Sequence, residues 1–161
     1  MVRTLGFMTN KPILNREYDV LNRRADLSQS VVDTKGNDRY GKDAYTQYNW
    51  NLLVGINTFS AANQLTSIVK EMGIAKIIGQ RTGGGMSAIM PITLLDGTTV
   101  TISSPNNAVF GENNESIEDG IAPDMELAYD KFYDYDYIDK LISNQALQTP
   151  KASQNHETTQ N

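Results

Sequence analysis

The chain contains no cysteine, and that one absence removes disulfides, thiolate metal sites and cysteine nucleophiles together. It contains one histidine, His156, close to the C-terminus. No apolar run approaches the roughly 18 residues needed to span a bilayer. The N-terminal "MVRTLGFMTNKP" has an arginine but lacks the continuous apolar stretch of a signal peptide. Basic residues form no stripe interleaved with aromatics, and the formal net charge is −5, so binding to nucleic-acid phosphates is not expected. No internal repeat is present.

What remains is ordinary globular material: 161 residues, 39% apolar and 20% charged. That length suits one domain with a real core. We assign residues 1–147 to it and read the polar tail 148–161 as disordered, because it has no apolar anchor.

The first 45 residues read irregularly. "RTLGFM" reads as a short strand, "EYDVLNRR" as a strand or a helical turn, and "VVDTKGNDRYGKDAY" as an exposed, glycine-punctuated loop. From residue 50 the pattern sharpens. "WNLLVGIN" is a short apolar run that suits a strand covered on both faces. Ala61, Ala62, Leu65, Ile68, Val69 and Met72 recur at helical spacing before Gly73, a natural helix stop. "AKIIGQ" follows as a second strand, so the three segments predict a βαβ unit with parallel strands. Asp96-Gly97 between two β-branched runs predicts a hairpin. "GENNESIEDGIAPD" reads as a polar loop, "MELAYD" as a short strand, and "YIDKLISNQAL" as a terminal helix with Ile138, Leu141, Ile142 and Leu147 as its stripe.

Ser60 stands where the first buried strand gives way to the helix. Ligands bind beyond the C-terminal ends of strands in α/β sheets. A hydroxyl there lies beside free N–H groups at a positive dipole end, where an oxyanion is stabilised. The N–H of Ala61 is the candidate donor. The plain alternative is an N-cap serine with no chemistry.

"NTFSAANQ", "GIAKIIGQRTGGG", "LLDGTTVTIS" and "EDGIAPD" occur in that order and at natural spacings. Together they resemble the C-terminal half of the catalytic domain of the S41 serine peptidases, the family of C-terminal processing (tail-specific) and tricorn-like proteases, over residues 50–128. The resemblance implies an α/β fold with a ClpP/crotonase-like core, of which this chain holds a partial domain with the βαβ unit and the hairpin. It implies Ser60 as nucleophile, Ala61 as an oxyanion-hole residue and peptide or protein as substrate, with no metal and no organic cofactor. Apart from the resemblance, the absence of cysteine fits an extracytoplasmic setting, in the cell envelope or secreted, for the full-length protein.

The base departs from the pattern. Tail-specific proteases carry a lysine in a phrase like "T-F-G-K-G"; here "RTGGGMS" puts Gly85 at that place. Lys70 lies ten residues along the helix, about 15 Å from Ser60 at 1.5 Å rise per residue, and Lys76 starts the next strand. Tricorn-like members use a histidine oriented by a glutamate, and Glu118 in "EDGIAPD" matches the glutamate. Their histidine lies far upstream of the serine, in a part of the domain this chain lacks. His156 in the tail does not replace it. The expectation is therefore a C-terminal portion of a larger peptidase, inactive or nearly so alone, with the upstream part of the same peptidase as its partner and self-association through exposed strand edges. A non-catalytic peptide-binding or scaffold protein is the alternative.

Gly83, Gly84 and Gly85 lack the lysine-serine ending of a phosphate loop and read as a flexible lining of the serine site. With Asn63 they are the candidate substrate-binding residues. Asp130, Asp134, Asp136 and Asp139 have no EF-hand spacing and read as a solvated acidic face with tyrosines packed underneath.

Overall fold

The computed structural model describes residues 1–148. They form two compact units, Met1–Leu127 and Ala128 onward. The expected disordered tail lies outside the described residues, except Gln148, which closes the last helix. His156 lies outside them too.

The first unit opens with a helix, α1 (Val2–Met8), where a strand was expected. Leu5 is buried and Met8 packs on the same core cluster. Residues three apart share a face only in a helix; a strand would have pointed them to opposite sides. Gly6 does not break it, because its missing side chain makes room for Thr34, whose Cγ2 lies 2.6 Å from where a Cβ would stand.

Two strands follow, β1 (Ile13–Asp19) and β2 (Arg24–Ser30), paired antiparallel in seven registers from Ile13↔Ser30 to Asp19↔Arg24. The irregular reading of this region is corrected: it is a full hairpin. Its turn is set by the Asp19 carboxylate, which accepts the N–H groups of Leu21 and Asn22, a side-chain mimic of a backbone turn.

The glycine-punctuated loop is a loop, but not a loose one. The Asp33 carboxylate accepts four consecutive N–H groups, those of Lys35, Gly36, Asn37 and Asp38. Thr34 and Asp43 are buried, and Arg39 and Lys35 both approach Asp43.

The βαβ unit is as expected. Strand β3 (Trp50–Val54), helix α2 (Ala61–Met72) and strand β4 (Ala75–Gly79) follow in order, with β3 and β4 parallel. Gly73 ends α2 in the left-handed conformation at φ 61°, which glycine adopts without a Cβ penalty. The expectation that β3 is covered on both faces fails. It is an edge of a three-stranded sheet whose middle strand is β4, and Leu52 and Val54 pack inward while Leu53 stays 41% exposed. The core of this layer is Leu5, Ile13, Val54, Ile68, Val69 and Ile77.

Strands β5 (Ser87–Thr93) and β6 (Thr99–Phe110) form the predicted hairpin, closed by Gly97 at φ 84°. The second sheet runs β2-β1-β6-β5, with the short β7 (Glu115–Ser116) added on β6. Only Asn106–Ala108 of β6 pair with β1, so the distal part of the hairpin projects as a two-stranded arm. The polar loop after β6 hides a second small core, in which Ile117 and Ile121 pack with Ala108. Strand β8 (Met125–Glu126) then joins β4 in parallel, as predicted for "MELAYD".

The second unit holds a 3-10 turn, Tyr129–Lys131, and helix α3 (Tyr135–Gln148), the expected terminal helix. Its tyrosines are not packed underneath an acidic face. Tyr129, Tyr133 and Tyr135 are 65%, 80% and 70% exposed.

Candidate active site

Ser60 occupies the N-cap position of α2, yet its side chain makes no capping hydrogen bond. The plain reading of this serine as a cap is therefore not what the structure shows. Its backbone instead stands at φ 55°, ψ −119°, a region that a residue with a Cβ avoids and that costs on the order of 1–3 kcal/mol. Strain of this kind at a strand-to-helix turn aims a serine hydroxyl outward in other hydrolases.

Three segments hold the strain in place. Phe59 bridges Gly84 in parallel, and the N–H of Ser60 donates to Gly84 O at 2.9 Å. On the other side of the glycines, the N–H of Gly85 donates to Glu118 O at 3.1 Å. The glycine run is thus a ribbon threaded between the serine turn and the Glu118 loop. A Cβ on Gly83 would stand 2.1 Å from Ile56 O, and one on Gly84 1.8 Å from Glu118 O. Tight packing, not flexibility, is why glycine is needed there.

Asn63, expected to bind substrate, is wholly buried. Its Nδ2 donates to Gly85 O at 3.2 Å and Ile117 O at 2.8 Å. Its Oδ1 accepts from the Thr82 hydroxyl at 2.6 Å, and that hydroxyl accepts the N–H of Ile121. Both amide protons are spent on the protein itself, so none is left for a peptide. Asn63 ties α2, the glycine ribbon and the Glu118 loop into one unit. The sequence signal for it was slight: a polar residue in the first turn of a helix, followed at helical spacing by Thr66 and Ser67, which are buried too.

Ser60, Ala61, Gln64, Gly85, Met86 and Ser87 line a cleft of about 160 Å³. Among the described residues the N–H of Ala61 and the hydroxyl of Ser60 make no hydrogen bond, so both are free toward the cleft. Of the predicted substrate-binding glycines, Gly85 reaches the cleft, whereas Gly83 and Gly84 lie behind it. Glu118 Oε2 accepts the N–H of Met86 at 2.9 Å, which fixes the cleft wall; among the described residues Oε1 is unengaged. Among the described residues no lysine or histidine lines the cleft. Lys70 is committed elsewhere, donating to Ala122 O and lying 3.6 Å from Asp124, and Lys76 is an exposed residue of β4.

The sequence profile described as Peptidase family S41 matches residues 7–127. Three solved structures are similar. The photosystem II D1 C-terminal processing protease is 20% identical with a TM-score of 0.59, over 78% of this chain and 30% of its own. A lipoprotein from Streptococcus agalactiae is 15% identical with a TM-score of 0.57, over 88% and 49%. The tricorn protease is 26% identical with a TM-score of 0.51, over 77% and 12%. No curated protein matches the sequence. The chain spans less than half the length of each of these three structures.

Proposed function

The chain belongs to peptidase family S41, and from that premise we propose that it carries the nucleophile and oxyanion portion of a serine peptidase site on a ClpP/crotonase-like core. The observation that carries this reading is Ser60: a strained backbone, a hydroxyl with no internal partner, and the free N–H of Ala61 beside it. Ser60 Oγ attacks the scissile carbonyl carbon while a base takes its proton, and the Ala61 N–H donates to the developing oxyanion. The proton then passes to the leaving amine, and water hydrolyses the acyl-serine by the same route. Glu118 offers its unengaged oxygen to orient that base.

The base comes from outside the cleft walls described above, from the upstream part of the same peptidase or from a partner chain, and the protein is near-inactive without it. Peptide or protein is the substrate. The lack of cysteine supports a place for the full-length protein outside the cytoplasm, and no described helix is long and apolar enough to cross a membrane. Exposed strand edges support self-association. That no lysine or histidine lines the cleft among the described residues also supports the second reading, a peptide binder that keeps the fold without catalysis.

Labelling with a fluorophosphonate separates the two. In the peptidase, the wild-type chain supplied with its upstream portion is labelled and Ser60→Ala is not. A full-length protein that stays unlabelled is the binder.

A further inference from the structure

A line of polar side chains runs from strand β1 to the Ser60 cleft. Asn15 and Glu17 are two residues apart on β1 and so share one face. Asn15 Nδ2 donates to Glu17 Oε1 at 2.9 Å, and Asn15 Oδ1 accepts from Gln64 Nε2, again at 2.9 Å. Gln64 stands one turn after Ser60 in α2, its own N–H donating to Ser60 O, and it lines the cleft. The line thus crosses from one element to another and ends beside the nucleophile.

Chemistry gives the line a direction. A carboxylate accepts hydrogen bonds and does not donate them, so Glu17 is met by the nitrogen of Asn15 and not by its oxygen. That turns the Asn15 oxygen toward α2, where the nitrogen of Gln64 satisfies it. The Gln64 oxygen is left over. Among the described residues nothing donates to it. It is open to solvent, because among those residues the one sealed side-chain polar atom without a partner is Thr34 Oγ1. A second tie keeps the helix from turning this oxygen away. Glu71, seven residues on and on the same face of α2, accepts from Arg16 of β1 and from the N–H of Gly111.

A peptide entering the cleft brings backbone N–H groups that lose water and need acceptors. The cleft's own backbone carbonyls are largely spent: those of Ser60, Gly85 and Met86 are taken by Gln64 N–H, Asn63 Nδ2 and Ala108 N–H. Gln64 Oε1 is free and held in place. Resting on the peptidase reading, we propose that Gln64 is a substrate-binding residue whose Oε1 accepts a backbone N–H of the peptide residue next to the bond that Ser60 attacks. Asn15 and Glu17 are positioning residues that aim it. Proline, which has no N–H, is disfavoured at that place.

The test is a titration of the isotope-labelled chain with N-acetyl tetra-alanine amide and its singly N-methylated versions, read at the Gln64 side-chain amide and the Ala61 N–H. Methylation of one particular nitrogen weakens binding about tenfold, the upper end of what one hydrogen bond contributes. Gln64→Leu, which keeps the bulk and loses the oxygen, binds the parent peptide about as weakly as wild type binds that methylated one, and no longer tells the two apart. Asn15→Ala frees the Gln64 amide to rotate and gives an intermediate preference. A loss on methylation that Gln64→Leu leaves in place is steric and overturns the role of Gln64. So does equal binding of all the peptides to wild type, or no binding of the parent. None of those results touches the peptidase reading, which stands or falls with labelling of Ser60.

Discussion

At the residue scale, Ser60 keeps a Cβ where glycine would be at ease. If the φ of 55° is held by the surrounding bonds, then Ser60→Gly relieves strain that Ser60→Ala retains. We expect the glycine variant to be the more stable of the two by about 1 kcal/mol, the usual penalty scale for such backbone positions. Urea unfolding of both variants measures it, and equal midpoints would refute the strain. Asn63 makes the complementary case. Asn63→Leu removes the Nδ2 donor from Gly85 O and one of the two donors of Ile117 O, which keeps the Gly120 N–H, and takes one partner from the Thr82 hydroxyl, which keeps the Ile121 N–H, and losing buried partners costs about 1–3 kcal/mol. The same variant should loosen the glycine ribbon, seen as faster amide exchange at Gly85 than in wild type. A destabilised protein whose Gly85 exchange follows global unfolding alone would show that the hub does not hold the ribbon.

At the element scale, α3 begins on Asp134, whose Oδ1 accepts the N–H of Tyr137 while its other oxygen meets Lys131. The Tyr137 N–H, then the Lys131 ammonium, hold the carboxyl below its ordinary value of 3.8. A depressed folded value means that the contribution is fully present above pH 3.8 and fades as pH falls through the lower folded value. Helical chemical shifts at the start of α3 should therefore persist at pH 5 and weaken only in strong acid, and Asp134→Asn should flatten that response. Legibility at this scale followed the side chains. Helix α2 was readable to the residue because an apolar stripe, a serine start and Gly73 all agree, and the Asp96-Gly97 hairpin because turn chemistry and β-branching agree. The β1–β2 hairpin was not, because "ILNREYD" and "RADLSQS" carry little apolar alternation and every β2 residue is exposed; backbone pairing defines it, with Ile13 its one buried side chain. That Ser60, Ala61 and Gly85 come together at one cleft was legible from their place beyond the strand ends. Asn63 was misjudged because its partners come from 22 and 54 residues away, which no local pattern announces.

At the scale of the whole molecule, the β5–β6 arm is the feature without a counterpart. Its register sets Met90 opposite Ile102 and Ile92 opposite Val100, so these four share one face, with each side chain between 38% and 44% exposed. The other face is mostly threonine and serine. A two-stranded ribbon is marginal alone in water, and an apolar face with open edges invites pairing. Pro91 blunts the β5 edge, since it has no N–H to offer, but among the described residues Thr99–Ser104 of β6 meet no strand on their far side. Self-association through this face is the expected result at concentrations on the order of tens of micromolar, where such edges pair. Light scattering should find a species larger than the monomer, and Val100→Lys with Ile102→Lys should return it to the monomer with α2 and its neighbours unchanged by circular dichroism. A monomeric wild type would mean that the arm is content in water. An oligomer that survives both lysines would move the contact to another surface, leaving this face for the upstream part of the peptidase.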